Sequence, residues 1–199
     1  MNPTTLGILA SHGGTTMQAV IDACANGTLN ARIGIVISNN SKSMALQRAR
    51  TADIATAHLS GANQDSEEAL DLAIADTLQN ASVTTLLLCG YMRKLGSITL
   101  QRFNGNIFNT HPALLPKYGG QGFYGRRVHD AVIAAGENES GATVHRVEAI
   151  YDSGEIVAQA KVPVHKTDTA EDLEERVKEV ERRLLVATLA TFCNPPESN

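Results

Sequence analysis

Short apolar runs that end in small or polar residues mark the first half of the chain. The run at 6–10 is apolar and is followed by Gly13 and Gly14, which is typical of a buried strand that leads into a loop. Further strands are predicted at 33–37, 55–59, 83–89 and 106–109. A strand that is apolar on both faces, such as 33–37, is typical of a parallel sheet covered by helices.

Amphipathic stretches between these runs predict helices. One begins near Thr16, keeps its apolar residues on one face and ends at Gly27. Another is predicted near 44–52, and a third opens at Asp65, with Glu68 three residues later in the spacing of a capping box. This alternation of strands and helices over the first 110 residues predicts an α/β fold with a doubly wound, mostly parallel sheet.

The pattern changes after Pro112. A glycine-rich loop is followed by a predicted helix, by two extended segments that a turn at 152–154 joins into an antiparallel pair, and by a long C-terminal helix with one apolar stripe. These elements are predicted at 119–127, 128–135, 143–150, 156–164 and 170–192. We expect residues 1–199 to form a single domain with an ordered core of about 6–192.

The turn after the first strand carries small residues and hydroxyls, at Gly13, Gly14, Thr15 and Thr16. Exposed N–H groups and the positive end of a helix dipole make such a turn a cradle for phosphate. The turn matches neither GxGxxG nor GxxxxGK[ST], so it does not favour dinucleotides or nucleoside triphosphates. An ordinary glycine turn with a threonine cap is the alternative interpretation.

Asn109 and His111 follow at the carboxyl end of a strand, where α/β sheets place their ligands. Side chains two apart in an extended chain point to the same side, so both can reach one reacting centre. An amide donor beside an imidazole suits a reaction that builds negative charge on a carbonyl oxygen while a proton moves. The alternative is structural, with Asn109 ending the strand and His111 packed on Pro112.

Asp152, in the late turn, is a carboxylate that would favour the imidazolium form of His111 if it folded back towards that ring. Because histidine starts from a pKa of about 6.5, a modest rise would keep it protonated near neutral pH. Asp-Ser-Gly is also ordinary turn chemistry, and the sequence leaves the contact open. Among the other histidines, His12 and His145 lie near the site that this pattern predicts.

Composition narrows the class of protein. The chain has 199 residues, 43% of them hydrophobic, and 17 Lys plus Arg against 21 Asp plus Glu give a net charge of −4, which favours neither nucleic acid nor an acidic membrane surface. Without an apolar run of membrane length or a secretion signal, we expect a cytoplasmic protein. Three widely spaced cysteines are interpreted as reduced thiols, and no metal-binding motif supports a metal site.

The stretch Asn-Thr-His-Pro-Ala-Leu-Leu-Pro-Lys-Tyr at 109–118 resembles the signature of the folate-dependent formyltransferase family. The resemblance extends from residue 6 to about 192 and is most specific at 11–18, 90–93, 109–118 and 145–163. It implies transfer of the formyl group of 10-formyltetrahydrofolate, the co-substrate, to the glycinamide amine of a phosphoribosyl compound in purine biosynthesis. No metal is implied.

The resemblance also implies roles for individual residues. Asn109 would hold the formyl oxygen, His111 would be the general acid, and Asp152 would raise the pKa of His111. The residues implied for the phosphoribosyl substrate are Gly13, Gly14, Thr15, Thr16, Lys178 and Glu181. The residues implied for the folate are Tyr91, Met92, Arg93, Lys94, Leu95, Asn109, Glu148, Ala149, Ile150, Tyr151 and Asp152.

The chain departs from the family pattern in three places. The family usually has Gly-Ser-Asn at the phosphate turn, where Gly14, Thr15 and Thr16 stand here. Glu67 occupies the apparent place of an arginine that meets the glutamate tail of folate in many members. The loop at 119–127 is longer than the common form, and its glycines predict a mobile flap.

Related activities remain open. Methionyl-tRNA formyltransferases carry an RNA-binding domain and formyltetrahydrofolate hydrolases an N-terminal regulatory domain, and we expect neither here. The phosphate turn, with Lys178 and Glu181, favours a small phosphoribosyl compound over a nucleotide sugar. A silent module that binds a phosphorylated metabolite is the alternative from another class. We expect small-molecule substrates, no nucleic acid or membrane partner, and a monomer or homodimer.

Overall fold

A seven-stranded β-sheet forms the centre of the computed structural model, which describes residues 4–194. Its strands are β1 (Thr4–Leu9), β2 (Ala31–Ser38), β3 (Thr56–His58), β4 (Thr85–Leu88), β5 (Ile107–His111), β6 (Glu139–Arg146) and β7 (Ile156–Pro163). They lie in the order β3-β2-β1-β4-β5-β6-β7. The first five are parallel to one another, whereas β6 is antiparallel to both β5 and β7.

Helices cover both faces of this sheet. They are α1 (Thr15–Ala25), α2 (Met44–Thr51), α3 (Glu67–Asn80), α4 (Ser97–Arg102), α5 (Arg126–Ala134) and α6 (Ala170–Cys193). Alternate residues of β1 serve the two layers: Ile8 packs in a core with Leu185 of α6, and Leu9 packs in the other core with Leu70 of α3. A strand with two buried faces is largely apolar on both, which is why β1 has no alternation of polar and apolar residues after Thr5.

The order of the strands creates a crevice beside β1. From β1 the chain moves outwards to β2 and β3, then crosses back to β4 on the other side of β1. The connections after β1 and β4 run to opposite sides, so the loops at the carboxyl ends of these strands are separated by a gap. In α/β sheets, ligands bind in such a gap. The turn after β1 and the segments after β4 and β5 meet at this edge.

The predicted fold class is confirmed, including the parallel sheet, the antiparallel pair and the long last helix. Several predicted boundaries differ from the observed ones, and two of these differences have a clear physical cause. The third helix begins at Glu67, and its N-cap is Ser66 rather than Asp65, because the Ser66 hydroxyl accepts the N–H of Ala69 at 3.0 Å. The first strand of the antiparallel pair covers Glu139–Arg146 rather than 143–150. Its start includes polar residues such as Glu139 because these pair with β7, and residues 148–150 lie outside the sheet.

Helix α4 was not predicted, and a buried carboxylate accounts for it. Asp71 of α3 accepts the N–H groups of Ile98 at 2.7 Å and Thr99 at 3.1 Å, and the Thr99 hydroxyl at 2.5 Å. A helix begins with N–H groups that have no partner within the helix, so an acceptor from another element can fix where it starts. A Cβ on Gly96 would collide with this carboxylate.

Substitution of Asp71 should therefore destabilise the fold. We expect Asp71→Ala to lower the free energy of unfolding by about 2–3 kcal/mol, because it leaves the N–H groups at the start of α4 without their acceptor. Asp76 lies on α3 like Asp71, but it is half-exposed and pairs with Arg102. Asp76→Ala should therefore lower the free energy of unfolding by less than about 1 kcal/mol. Urea denaturation followed by circular dichroism measures both, and equal losses would contradict this role of Asp71.

Candidate functional site

A cavity of about 800 Å³ lies at the carboxyl edge of β1, β4 and β5. It is lined by every residue that the sequence nominates for a site, at 13–16, 91–95, 109, 111, 148–152, 178 and 181. These segments are distant along the chain and meet because parallel strands end at one edge of the sheet. The structure thus brings the nominated residues together, while their individual roles remain predictions.

A cluster of four polar side chains forms the centre of the cavity. His111 Nδ1 lies 3.5 Å from Asp152 Oδ2, and His145 Nε2 lies 3.4 Å from Asp152 Oδ1. Asn109 Nδ2 lies 3.0 Å from His145 Nε2. Asp152 therefore does fold back to His111, and it reaches a second imidazole as well. With His111 4% and His145 2% exposed, the cluster is shielded from solvent, which strengthens its electrostatic interactions.

The tautomer of His145 determines how Asn109 is oriented. His145 Nδ1 lies 2.9 Å from the carbonyl oxygen of Arg146, which can only accept, so Nδ1 carries a proton. In the neutral ring Nε2 is then an acceptor, and it takes an N–H of the Asn109 amide. The amide nitrogen has a second N–H, which remains for a ligand in the cavity. The sequence noted His145 only as a neighbour, although its place opposite Asn109 in the β5–β6 ladder links the two.

The environment of His111 differs in one respect from the expectation. Burial lowers its pKa, and the opposing effects of Asp152 and of the Tyr118 carbonyl do not reverse the direction. Nε2 lies 2.7 Å from the Tyr118 carbonyl oxygen, so both ring nitrogens face acceptors. Asp152 does raise the pKa of His111, as predicted. The prediction that the pKa lies above the ordinary value is wrong, because desolvation of the imidazolium is the larger effect.

Asp152 itself remains ionised. Burial would raise its pKa, but the imidazole of His111 and a backbone hydrogen bond outweigh burial and hold the pKa below the ordinary value. That hydrogen bond comes from the N–H of Gly120, 2.8 Å from Oδ2. It ties the glycine-rich loop to the central cluster, and whether the loop moves as a flap stays a prediction. At Gly154 a Cβ would collide with the Arg146 carbonyl, so a glycine is required for the turn to lie this close to β6.

The turn after β1 is fixed by a glycine conformation and by a contact with α2. Gly14 has φ 68°, and a Cβ there would lie 2.9 Å from the Cα of Ala45, so both conformation and space require glycine. Arg48 Nε donates to the carbonyl of Gly13 at 3.0 Å and holds the turn against α2. Thr15 is exposed, whereas the Thr16 hydroxyl donates to Glu181 Oε1 at 3.2 Å. Of the two hydroxyls in the turn, that of Thr15 is left for a phosphate.

The two nominated residues of α6 have different surroundings. Glu181 Oε1 accepts the hydroxyl of Thr110 at 2.5 Å in addition to that of Thr16. Burial raises the pKa of Glu181, and the two hydroxyls oppose it. Lys178 Nζ is 2.8 Å from Glu174 and 2.9 Å from Glu175, its ion-pair partners, and Glu181 is not one of them among residues 4–194. These carboxylates outweigh burial and raise the pKa of Lys178.

An apolar wall forms the opposite side of the cavity. Large hydrophobic side chains are exposed here, with Ile150 71%, Tyr151 47% and Met92 43% accessible. Lys94 Nζ lies 5.8 Å from the centroid of the Tyr151 ring. Exposed apolar side chains at a cavity indicate a ligand with a flat or apolar part. Beside them, Arg93 Nη2 lies 2.5 Å from Glu67 Oε1, so Glu67 neutralises a cation at the edge of this wall.

Alternation along β5 divides the cavity into two halves. Phe108 packs in the core beneath α1 and α6, whereas Ile107 packs in the core beneath α3. Because side chains alternate, Thr110 lies on the α6 side of the sheet with Phe108, and Asn109 and His111 lie on the other side.

Two site residues were not nominated from the sequence. Thr110 was missed because its functional feature is a hydroxyl that contacts a helix distant along the chain. His129, which the sequence analysis did not single out, is a buried cavity residue whose Nδ1 has no hydrogen-bond partner within 4–194.

The described part of the chain contains neither a group of metal ligands nor a membrane-spanning helix. Between residues 4 and 194 no three His, Cys, Asp or Glu side chains are grouped so that they could hold a metal ion. Over the same residues, none of the helices combines the length and apolar character that a membrane span requires.

Comparisons with known proteins agree with this geometry. Residues 6–189 match the model of the family described as formyl transferase. The chain is 41% identical to a phosphoribosylglycinamide formyltransferase of Haemophilus influenzae, over 94% of this chain and 86% of that protein. It is 36% identical to a chloroplastic phosphoribosylglycinamide formyltransferase of Vigna unguiculata, over 94% of this chain but only 60% of that protein.

A solved structure gives the same result in three dimensions. Glycinamide ribonucleotide transformylase 1 from Symbiobacterium toebii superposes with a TM-score of 0.91 at 35% identity, over 97% of this chain and 89% of that one. The resemblance noted in the sequence is thereby confirmed by an independent match of both family and fold: this chain belongs to the formyl transferase family.

Proposed function

We propose that the protein transfers the formyl group of 10-formyltetrahydrofolate to the amine of 5-phosphoribosylglycinamide, in the synthesis of purine nucleotides. The names of its relatives support this reaction. The observation that carries the proposal is the position of the Asn109, His111, His145 and Asp152 cluster between a phosphate-type turn and an apolar wall. Such a cavity accommodates a phosphorylated acceptor on one side and a flat donor on the other.

The acceptor occupies the side of the cavity formed by α1 and α6. Its phosphate binds the N–H groups and the exposed hydroxyl of the turn at Gly14 and Thr15, at the positive end of α1. Its ribose lies towards Lys178 and Glu181, and its amine extends over the end of β5. The folate rests on the wall formed by 91–95 and 148–152, so its formyl group reaches the same place from the opposite side.

The reaction begins when the lone pair of the amine forms a bond to the formyl carbon. The carbonyl electrons move to oxygen, and the free N–H of Asn109 donates to the resulting oxyanion, a type of contact worth about 10²–10³ in rate. The electron pair of the oxyanion then re-forms the carbonyl while the bond between carbon and N10 of the folate breaks. N10 keeps the electrons of that bond and receives a proton from His111. The proton lost by the attacking nitrogen restores His111, so no net charge is created.

The remaining features of the proposal follow from the same site. The folate serves as co-substrate, and the proposed chemistry uses no metal. We infer that residues 1–199 form a single domain with a core of about 6–192, that the reaction takes place in the cytoplasm, and that the partners are small molecules. A monomer or a homodimer stays a prediction, as do the roles assigned to single residues.

Turnover measures the proposed function directly. We expect the protein to form tetrahydrofolate, followed by absorbance, only when both 10-formyltetrahydrofolate and phosphoribosylglycinamide are present. The matched control omits the acceptor. Absence of turnover with both substrates at micromolar enzyme would refute the proposal, and equal rates without the acceptor would show a hydrolase instead.

The pH dependence of the rate should depend on Asp152. Its carboxylate raises the pKa of His111 against the effect of burial, so Asp152→Asn should lower that pKa further. His111 then loses its proton at a lower pH, and the alkaline limb of kcat/KM should move to lower pH. Asp168→Asn, at the ion pair with Arg176 outside the cavity, is the control and should leave the limb in place. An unmoved limb in Asp152→Asn would count against the pairing.

A further inference from the structure

One carboxylate oxygen of Glu181 is held by two hydroxyls that come from different elements. Thr110 of β5 donates to Oε1 at 2.5 Å, and Thr16 of α1 donates to the same atom at 3.2 Å. The shorter distance lies in the range of a charge-assisted O–H···O⁻ hydrogen bond. Strand β5 is thus connected to α6 by a polar contact on the face opposite Asn109 and His111.

The other oxygen of Glu181 is available to a ligand. Within residues 4–194, Oε2 accepts no hydrogen bond and Glu181 forms no ion pair, yet the residue lines the large cavity. A carboxylate that is buried without a cation tends to take up a proton. The hydroxyls of Thr110 and Thr16 oppose that tendency, because hydrogen bonds donated to a carboxylate stabilise its charged form. They also restrict its rotation, since both contact a single oxygen.

Nothing in the packing of Thr110 requires its hydroxyl. Thr110 is 8% exposed, and within the described residues its hydroxyl contacts only Glu181. Valine has the same branched shape and is also favoured in strands, so it would fill the same space in β5. The hydroxyl therefore matters for the orientation and charge of Glu181 rather than for the strand.

We propose that Thr110 is a positioning residue which, with Thr16, directs Oε2 of Glu181 to the hydroxyls of a ribosyl group and so selects a sugar phosphate in the acceptor half of the cavity. The proposal rests on the function proposed above. Sugar hydroxyls donate hydrogen bonds, which a fixed carboxylate oxygen accepts, whereas a phosphate would be repelled by the same charge. Because Thr16 adjoins the phosphate turn, Glu181 fixes which end of the acceptor enters the turn.

Matched variants of Thr110 test this role. Relative to the wild type, Thr110→Val should raise the KM for phosphoribosylglycinamide about tenfold, the expected effect of losing a hydrogen bond to a charged group. The KM for 10-formyltetrahydrofolate and kcat should each change by less than about twofold. Thr110→Ser keeps the hydroxyl and should restore the acceptor KM. Thr188→Val removes a buried hydroxyl on α6 whose hydrogen bond, within residues 4–194, goes to the Leu184 carbonyl, and should leave all three constants unchanged.

A binding measurement separates this proposal from the proposed function. By calorimetry, Thr110→Val should bind ribose 5-phosphate about tenfold more weakly than the wild type and inorganic phosphate equally well. If the wild type lacks turnover but this difference appears, the proposed reaction is wrong and the role of Thr110 stands. Thr110→Ala, which also lacks the hydroxyl, replaces Thr110→Val should the latter fail to fold.

Three results would overturn the role of Thr110. The first is an acceptor KM in Thr110→Val equal to that of the wild type while turnover proceeds. The second is a KM in Thr110→Ser as high as in Thr110→Val, because the hydroxyl would then not be the cause. The third is a wild type that binds ribose 5-phosphate no more tightly than inorganic phosphate.

Discussion

The hydrogen bond from His145 Nδ1 to the carbonyl of Arg146 is the interaction on which the site depends. A backbone carbonyl can only accept, so it fixes the proton on Nδ1 and leaves Nε2 of the neutral ring as an acceptor. The Asn109 amide must then present an N–H to Nε2, and its remaining N–H is available to an oxygen in the cavity. Antiparallel pairing of β5 with β6 makes this possible, because it sets Asn109 and His145 opposite each other.

The central cluster also holds one buried charge, on Asp152, beside the imidazole of His111. Asp152 is held ionised by that imidazole and by the Gly120 N–H, which donates to its carboxylate, despite its burial. In return its charge offsets part of the desolvation of His111, although burial remains the larger effect. A proton on His111 is therefore easily released inside the cavity, which suits a group that must give a proton to a leaving nitrogen. A pKa held well above the ordinary value would make that transfer harder.

Much of this arrangement could be predicted from the sequence, for identifiable reasons. Apolar runs and glycines locate the parallel strands and their loops, and ligands of such sheets bind where the strands end, so Asn109, His111 and the turn at Gly14 could be nominated. The contact of Asp152 with His111 could not, because it depends on how a turn folds back towards a residue that lies about 40 positions earlier in the chain. His145, Thr110 and the capping of α4 by Asp71 were missed since ladder register and the reach of side chains between elements leave no local pattern.

Nitrogen-15 NMR of protein labelled at histidine tests the central claim most directly, because it reports which ring nitrogen carries a proton. At neutral pH we expect His145 to be protonated at Nδ1 and unprotonated at Nε2, with Nε2 hydrogen-bonded to the Asn109 amide. A His145 ring protonated at Nε2 would contradict it, since Asn109 would then have to turn its carbonyl towards His145 and could not hold an oxyanion in the way described.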